Sequence, residues 1–279
     1  MTTLTTFDTS LDTVGDDPVA GVRHRVSVQE TVSQTLMMAW RATKKMRRNP
    51  EQFFDVLIQP LLFTAMFAYI FGGAVAGSVS DYLPTLIPGI LAQTTLTACI
   101  ATGTQLREDM DKGVFERFKS LPIARVAPLA GPMVADLLRY TIASVLTFAT
   151  GIAMGYRPGG GVFGVVAALL LTIVTGWSLA WIFTFVGIIG KSAQAVQGIS
   201  MMIMFPLTFL SNAFVPVTTL PGWLAAFVKV NPVSHLVSAM RDLANHAVIS
   251  SQAGWTLVAG LVVIAVFAPL SMRSYRRHL

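Results

Sequence analysis

Six apolar stretches pace this chain, each close to or above the ~18–20 residues that a helix needs to cross ~30 Å of hydrocarbon. They run from Gln52 to Ala74, Tyr82 to Gln105, Met133 to Tyr156, Val162 to Ile189, Ala193 to Phe214 and Trp255 to Met272. Runs of this length with so little charge predict an all-α membrane protein with six transmembrane helices. Only Gly190, Lys191 and Ser192 separate the fourth stretch from the fifth, so these two form a tight helical hairpin. Prolines fall inside the spans at Pro60, Pro84, Pro88, Pro206 and Pro269. Proline has no N–H, so the carbonyl one turn back must be satisfied by a neighbouring helix or a water-filled path.

Between the spans the pattern changes. Residues 1–27 contain no apolar stretch and predict a disordered cytoplasmic tail before a single transmembrane domain over 28–279. From Val28 the spacing turns helical: Val32, Leu36, Met37 and Trp40 make one apolar stripe, followed by the basic run Arg41 to Arg48. Such a helix suits the membrane surface. Asn49 then reads as an N-cap, with Pro50 at the first helical position. After the second span, Met110, Val114, Phe118 and Leu121 recur at helical spacing, with Arg107/Asp111 and Lys112/Glu116 as charge pairs. This predicts a short amphipathic cytoplasmic helix over Arg107–Leu121, exposing Phe115 beside Phe118. Charge around an aromatic pair points to a docking surface; a helix gripping lipid headgroups is the alternative. In the long outer loop, Leu220 to Val228 predicts a short interfacial helix with Trp223 at headgroup depth. Pro232 to His246 predicts a second, with Leu236, Val237, Met240 and Leu243 on its apolar side.

Composition agrees with this picture and fixes its orientation. Of 279 residues, 53% are hydrophobic and 12% charged, about half the ~25% charge of a soluble domain. Placing the N-terminus in the cytoplasm puts sixteen of the twenty Lys and Arg in cytoplasmic segments. Three (Arg157, Lys229, Arg241) fall outside and Arg139 lies within the third span. That asymmetry predicts both termini inside, and it accounts for the net charge of +6 without nucleic acid. Cys99 is the sole cysteine, so no disulfide or zinc framework forms within one copy. The absence of an apolar stretch before residue 50 predicts no cleavable signal peptide.

Candidate chemistry is sparse. An ionisable residue inside a span costs ~2.5–3.5 kcal/mol on insertion scales, and Asp55, Asp136 and Arg139 are the candidates. All three lie near the cytoplasmic side, with Asp136 and Arg139 spaced to pair on one helix face. The last three spans hold no acid, base or histidine, which weighs against an ion relay. Gly190-Lys191-Ser192 resembles the end of a phosphate-binding loop, but Phe185 stands where that motif needs glycine, and a membrane helix precedes it rather than a strand. His24, His235, His246 and His278 are scattered, and no HExxH or GxSxG pattern occurs. No catalytic residue, metal or cofactor is therefore expected on this chain. Uncharged polar residues gather in the second span (Gln93, Thr94, Thr95, Thr97, Thr102, Thr104) and late in the fifth (Thr208, Ser211, Asn212). With Met201, Met202, Phe205 and Phe209 they form a candidate substrate route; interhelical hydrogen bonding is the alternative.

Three segments carry a resemblance. Trp40-Arg41 through Asn49-Pro50 with Gln59-Pro60-Leu61, then Lys112 to Phe118 with Leu121-Pro122-Ile123, are similar to the opening and the first cytoplasmic segment of type-2 ABC exporter permeases. Phe205-Pro206-Leu207 through Asn212, Pro216, Leu220 to Trp223, Asn231-Pro232 and Arg241 resemble their fifth span and outer loop. The nearest branch is the daunorubicin-resistance type of multidrug permease, although Asn212 stands where many of the wider family have glycine after the serine. The resemblance implies two permeases, expected as a homodimer, above two cytoplasmic ATPase subunits that bind ATP and Mg. It makes Arg107–Leu121 the coupling helix, with Glu108, Asp109, Asp111, Phe115, Glu116, Arg117 and Phe118 at the ATPase interface. A lipophilic small molecule or lipid is then the cargo, along Gln93, Thr94, Thr97, Met201, Phe205, Phe209 and Asn212. Drug, glycolipid and polysaccharide stay equally open as cargo, and an ion-coupled carrier and a membrane enzyme remain the alternative classes.

Overall fold

A helix that begins near one membrane face and runs on past the other organises the chain. The computed structural model describes residues 27–48, 50–115, 127–214 and 221–278, of which 28, 47–48, 50–57 and 276–278 are described in backbone only. Among the described residues the secondary structure is entirely helical. Helix α1 (Val28–Arg48) opens on a capping box. The Ser27 amide donates to Glu30 Oε2 at 2.8 Å, and Ser27 Oγ accepts from the Gln29 amide at 3.3 Å. Helix α2 (Pro50–Ala76) begins at the expected proline, and Asn49 itself lies outside the described residues. The tail over residues 1–26 and the side chain of Asp55 also lie outside them.

Gly77, at φ +79°, turns the chain into α3 (Val79–Asp111), whose N-cap Ser78 accepts from the Asp81 amide at 3.2 Å. At 33 residues α3 is ~50 Å long, well beyond the bilayer core. It is the most enclosed helix, packing on α2, on α4 (Ala127–Ala153) and on α5 (Gly161–Ile189). It also packs on α6 (Ala193–Phe209) and α8 (Pro232–His246). The crossing with α5 is made by glycine. A Cβ on Gly187 would sit 2.4 Å from the Gly103 carbonyl oxygen, and one on Gly103 2.3 Å from that of Phe183. The short helix α7 (Gly222–Val230) and the last helix α9 (Ser251–His278) complete the set. Helix α9 lies at the edge against α5 and α8, with Trp255, Val258, Leu261, Val262 and Val266 exposed. Apolar surface on this scale belongs in lipid, not water.

Several expectations shift at their boundaries. Among the described residues five helices are long and apolar enough to cross a membrane, and the expected fifth span is helical only over Ala193–Phe209, 17 residues or ~25 Å. The third is helical from Ala127, the first described residue of that segment and six residues before Met133, with Pro132 inside the helix. Ser192 caps α6 by accepting from the Ala195 amide at 3.2 Å, which makes the hairpin with α5. Arg107–Leu121 is not one helix: its first five residues prolong α3, and Gly113, at φ +65°, breaks the path. On α1, Ala39 and Met46 are buried, and Met38 abuts Gly131 of α4. The stripe Val32, Leu36, Met37 and Trp40 is exposed.

The glycine crossing gives a direct test. Gly103→Ala is expected to lower stability by about 1–3 kcal/mol through overpacking, seen as a lower thermal unfolding midpoint in detergent. Gly73→Ala, where an added Cβ meets nothing within 4 Å, is expected to leave the midpoint unchanged.

Candidate functional site

The site is built around the point where α6 stops inside the bundle. Residues 210–214 leave the helix, so a run of carbonyls loses its intrahelical donors. Side chains from three other segments supply replacements. Asn231 Nδ2 donates to the Leu207 and Leu210 carbonyls at 2.8 and 3.0 Å. Arg241 Nη2 donates to the carbonyls of Asn212 at 2.6 Å, Ala213 at 3.2 Å and Thr85 at 3.1 Å. The Tyr82 hydroxyl donates to the Phe214 carbonyl at 2.8 Å. On α3, Pro88 leaves the Pro84 carbonyl without its donor, and Asn245 Nδ2 takes it at 3.2 Å. A Cβ on Gly89 would meet the Ala213 oxygen at 2.1 Å, so glycine alone lets the unwound segment lie against α3. Burial lowers the pKa of Arg241 to about 10, which Tyr82 and Asp242 partly oppose, so the guanidinium is charged at neutral pH. Its charge also faces the negative end of α6.

Asn231 Oδ1 in turn accepts from the Val233 amide at 2.9 Å and caps α8. Leu236, Val237, Met240 and Leu243, the expected apolar side of that helix, are all buried. They pack into the bundle against α3, α5 and α9. Trp223 of α7 is exposed.

Below the break, α3 and α6 meet along the candidate route. Gln93 and Thr94 are buried, Thr97 faces Met204 with Oγ1 3.7 Å from its sulfur, and Met201 packs at the core edge. Most threonine hydroxyls of α3 turn back on their own helix: Thr94 to Ile90, Thr95 to Leu91, Thr97 to Gln93, Thr102 to Ala98 and Thr104 to Ile100. That is the bland outcome for a hydroxyl in a helix. Gln93 Oε1, Ser200 Oγ, Thr208 Oγ1 and Asn212 Oδ1 are buried without a hydrogen bond among the described residues, while Asn212 Nδ2 donates to Ser238 Oγ at 2.8 Å. Phe205 and Phe209 stack at 5.3 Å on the exposed side of α6. Phe214 links Phe209 to Phe67 of α2 at centroid distances of 5.6 and 4.6 Å.

Toward the Asp111 end of α3 the ion pairs cluster. Asp136 and Arg139 pair at 3.2 Å inside α4, and Thr102 donates to Asp136 at 2.5 Å. Lys45 of α1 reaches Asp109 of α3 at 2.7 Å. Arg107 pairs with Asp111, and Lys112 with Glu108 at 3.4 Å. Glu116, Arg117 and Phe118 lie outside the described residues. Phe115, expected at the surface, is buried at 6% exposure against Leu106, Leu129, Ile188 and Tyr275. A pocket between α1, α3 and α4 is lined by Met38, Lys45, Gln105, Asp109, Phe115 and Asp136.

Sequence reading placed the Arg107–Asp111 and Asp136–Arg139 pairs, whereas Lys112 pairs with Glu108 and the expected partner Glu116 lies outside the described residues; it gave no role to Tyr82, Asn231, Arg241, Asn245 or Tyr275. The available signal was Arg241 itself, a cation beside the apolar stripe of an amphipathic helix.

Long apolar helices in a bundle with exposed aliphatic flanks, joined inside by amides and hydroxyls, define a multi-pass membrane transport protein. Residues 33–244 match the ABC-2 type transporter family, and the chain belongs to it. The daunorubicin resistance ABC transporter permease protein DrrB1 of Streptomyces coeruleorubidus is 42% identical over 245 residues, 88% of this chain and 87% of its own. The probable doxorubicin resistance ABC transporter permease protein DrrC of Mycobacterium tuberculosis is 26% identical over 251 residues, 88% and 89% of the two chains. The putative transport permease ycf38 of Porphyra purpurea is 24% identical over 249 residues, 86% and 82%. This chain is the membrane permease subunit of an ABC exporter; the ATPase is a separate subunit.

Arg241→Ala would strand the Asn212, Ala213 and Thr85 carbonyls, and a loss of about 2–3 kcal/mol is expected from such unsatisfied groups. Arg241→Lys should recover only part of it, since an ammonium cannot fork between two segments as a guanidinium does. Thermal unfolding of the purified variants in detergent measures both.

Proposed function

We propose that this permease exports a lipophilic, drug-like molecule of the daunorubicin kind across a bacterial inner membrane. The observation that carries the reading is the 42% identity to a daunorubicin resistance permease over nearly the full length of both chains. In this reading α2, α3, α4, α5, α6 and α9 are six crossings with both termini cytoplasmic. Helix α6 completes the fifth crossing with the unwound residues 210–214, and α7 and α8 cap the outer side. Helix α1 lies in the inner interface with its exposed stripe in lipid, and residues 1–27 form a cytoplasmic tail.

Two copies assemble as a homodimer above two ATPase subunits carrying ATP and Mg. The ATPase binds the segment from Glu108 through Asp109, Asp111, Glu116 and Arg117 to Phe118, with Phe115, buried against the permease, as its anchor. Substrate passes along the α3–α6 seam, past Gln93, Thr94, Thr97, Met201, Phe205, Phe209 and Asn212. The unpaired oxygens of Gln93 and Asn212 and the exposed Phe205–Phe209 stack support that route. They suit a ligand with aromatic faces and hydrogen-bonding substituents.

Inverted vesicles holding this chain and its ATPase are expected to accumulate daunorubicin with ATP and to ignore a protonophore. Uptake that collapses with the protonophore and needs no ATP would place the chain among ion-coupled carriers. Purified alone, the chain is expected to hydrolyse no ATP. For topology, single cysteines at 157–161 and 247–250 in a Cys99→Ala background should label from outside intact cells; labelling only after permeabilisation would reverse the orientation.

A further inference from the structure

Where α3 emerges on the cytoplasmic side, a second apolar cluster stands apart from the main core. Its five members are Leu106 of α3, Phe115 beyond the Gly113 turn, Leu129 of α4, Ile188 of α5 and Tyr275 of α9. Each comes from a different segment, and each is at most 7% exposed. Phe115 and Tyr275 meet edge to face, with ring centroids 5.5 Å apart and planes at 73°. The last helix otherwise packs on α5 and α8, and most of its span is exposed. Gly113, at φ +65°, lets the chain fold back so that Phe115 enters the cluster. One aromatic therefore fastens the segment after α3 to the ends of four spanning helices. Upstream, the Lys45–Asp109 pair at 2.7 Å ties α1 to the same end of α3.

We propose that Phe115 and Tyr275 form the joint through which force on the segment after Gly113 reaches the transmembrane helices, with Tyr275 a positioning residue for coupled transport. This rests on the coupling reading above and adds a path to it. Phe115 faces the permease, not the ATPase, and hands motion to α9 as well as to α3. Edge-to-face packing fixes both distance and angle between rings, so the contact transmits displacement in a way that a loose aliphatic contact would not. The cluster offers Tyr275 no ionic substitute, since its other members are Leu106, Phe115, Leu129 and Ile188.

The test is the number of drug molecules moved per ATP hydrolysed, in vesicles holding the permease and its ATPase. Tyr275→Ala is expected to keep ATPase co-purification and basal hydrolysis while transport per ATP falls at least tenfold. Tyr275→Phe, which keeps the ring, should stay within twofold of the parent. In a Cys99→Ala background, Phe115→Cys with Tyr275→Cys should lose coupling and regain it when a short bis-methanethiosulfonate, releasing methanesulfinate at each cysteine, ties the two positions. Transport per ATP within twofold of the parent in Tyr275→Ala would overturn the joint. Should that variant fail to reach the membrane, the cysteine pair decides, and no recovery on cross-linking overturns the joint. Transport by the parent is the control: its absence would count against the permease reading itself.

Discussion

Every carbonyl in hydrocarbon must have a donor, and the outer half of this fold is arranged around one place where the backbone does not supply it. Helix α6 ends at Phe209, short of a full crossing, and the carbonyls of residues 207–214 draw in Asn231, Arg241 and Tyr82. The position of α8 follows, because it carries Arg241 and is itself capped by Asn231. Gly89 follows too, since the unwound strand presses directly on α3. The N-terminal glycines of α5 complete the enclosure: the Gly160 amide donates to the Ala244 carbonyl at 2.9 Å, and Gly164 lies under that of Leu243. A charged side chain is normally a liability at such depth. Here it is the group that makes an irregular backbone tolerable, because one planar fork serves two segments at once.

The interior of the bundle is polar yet mostly spent. Hydroxyls that look like a lined path bind their own helices, and the Asp136–Arg139 pair with Thr102 is held within α3 and α4. Among the described residues, the unpaired buried oxygens of α3 and α6 are those of Gln93, Ser200, Thr208 and, just past the end of α6, Asn212, while others lie on α4, α5, α8 and α9. The α3–α6 seam borders the exposed Phe205–Phe209 stack, so unspent hydrogen-bonding capacity and aromatic surface share one side of the molecule.

Much of this was legible in the sequence. Run length gave five of the six expected spans among the described residues, periodicity gave the buried side of α8, and i,i+3 spacing gave the pairing of Asp136 with Arg139. The failures have physical causes. Hydropathy reads straight through Leu210–Phe214, because a broken helix stays apolar when its carbonyls are satisfied by distant side chains. Helical spacing from Met110 to Leu121 continued across Gly113, whose positive φ breaks the helix without disturbing the period of the residues around it. Phe115 looked exposed because its neighbours in sequence are charged, while its partner Tyr275 lies 160 positions away at the other end of the chain. The role of Arg241 was hidden for the same reason: backbone carbonyls leave no mark in a sequence.

The glycine crossing of α3 and α5 also has a mechanical reading. Gly103 lies about 12 Å along the helix from Asp111 but about 31 Å from Tyr82, at 1.5 Å per residue. A rigid rod pivoting there is an unequal lever, long arm outward. A tilt that shifts the charged inner end by 1 Å swings the outer end by roughly 2.6 Å in the opposite direction. The long arm ends where Tyr82, Thr85 and Gly89 meet the segment around the break in α6, so the amplified motion falls on those contacts.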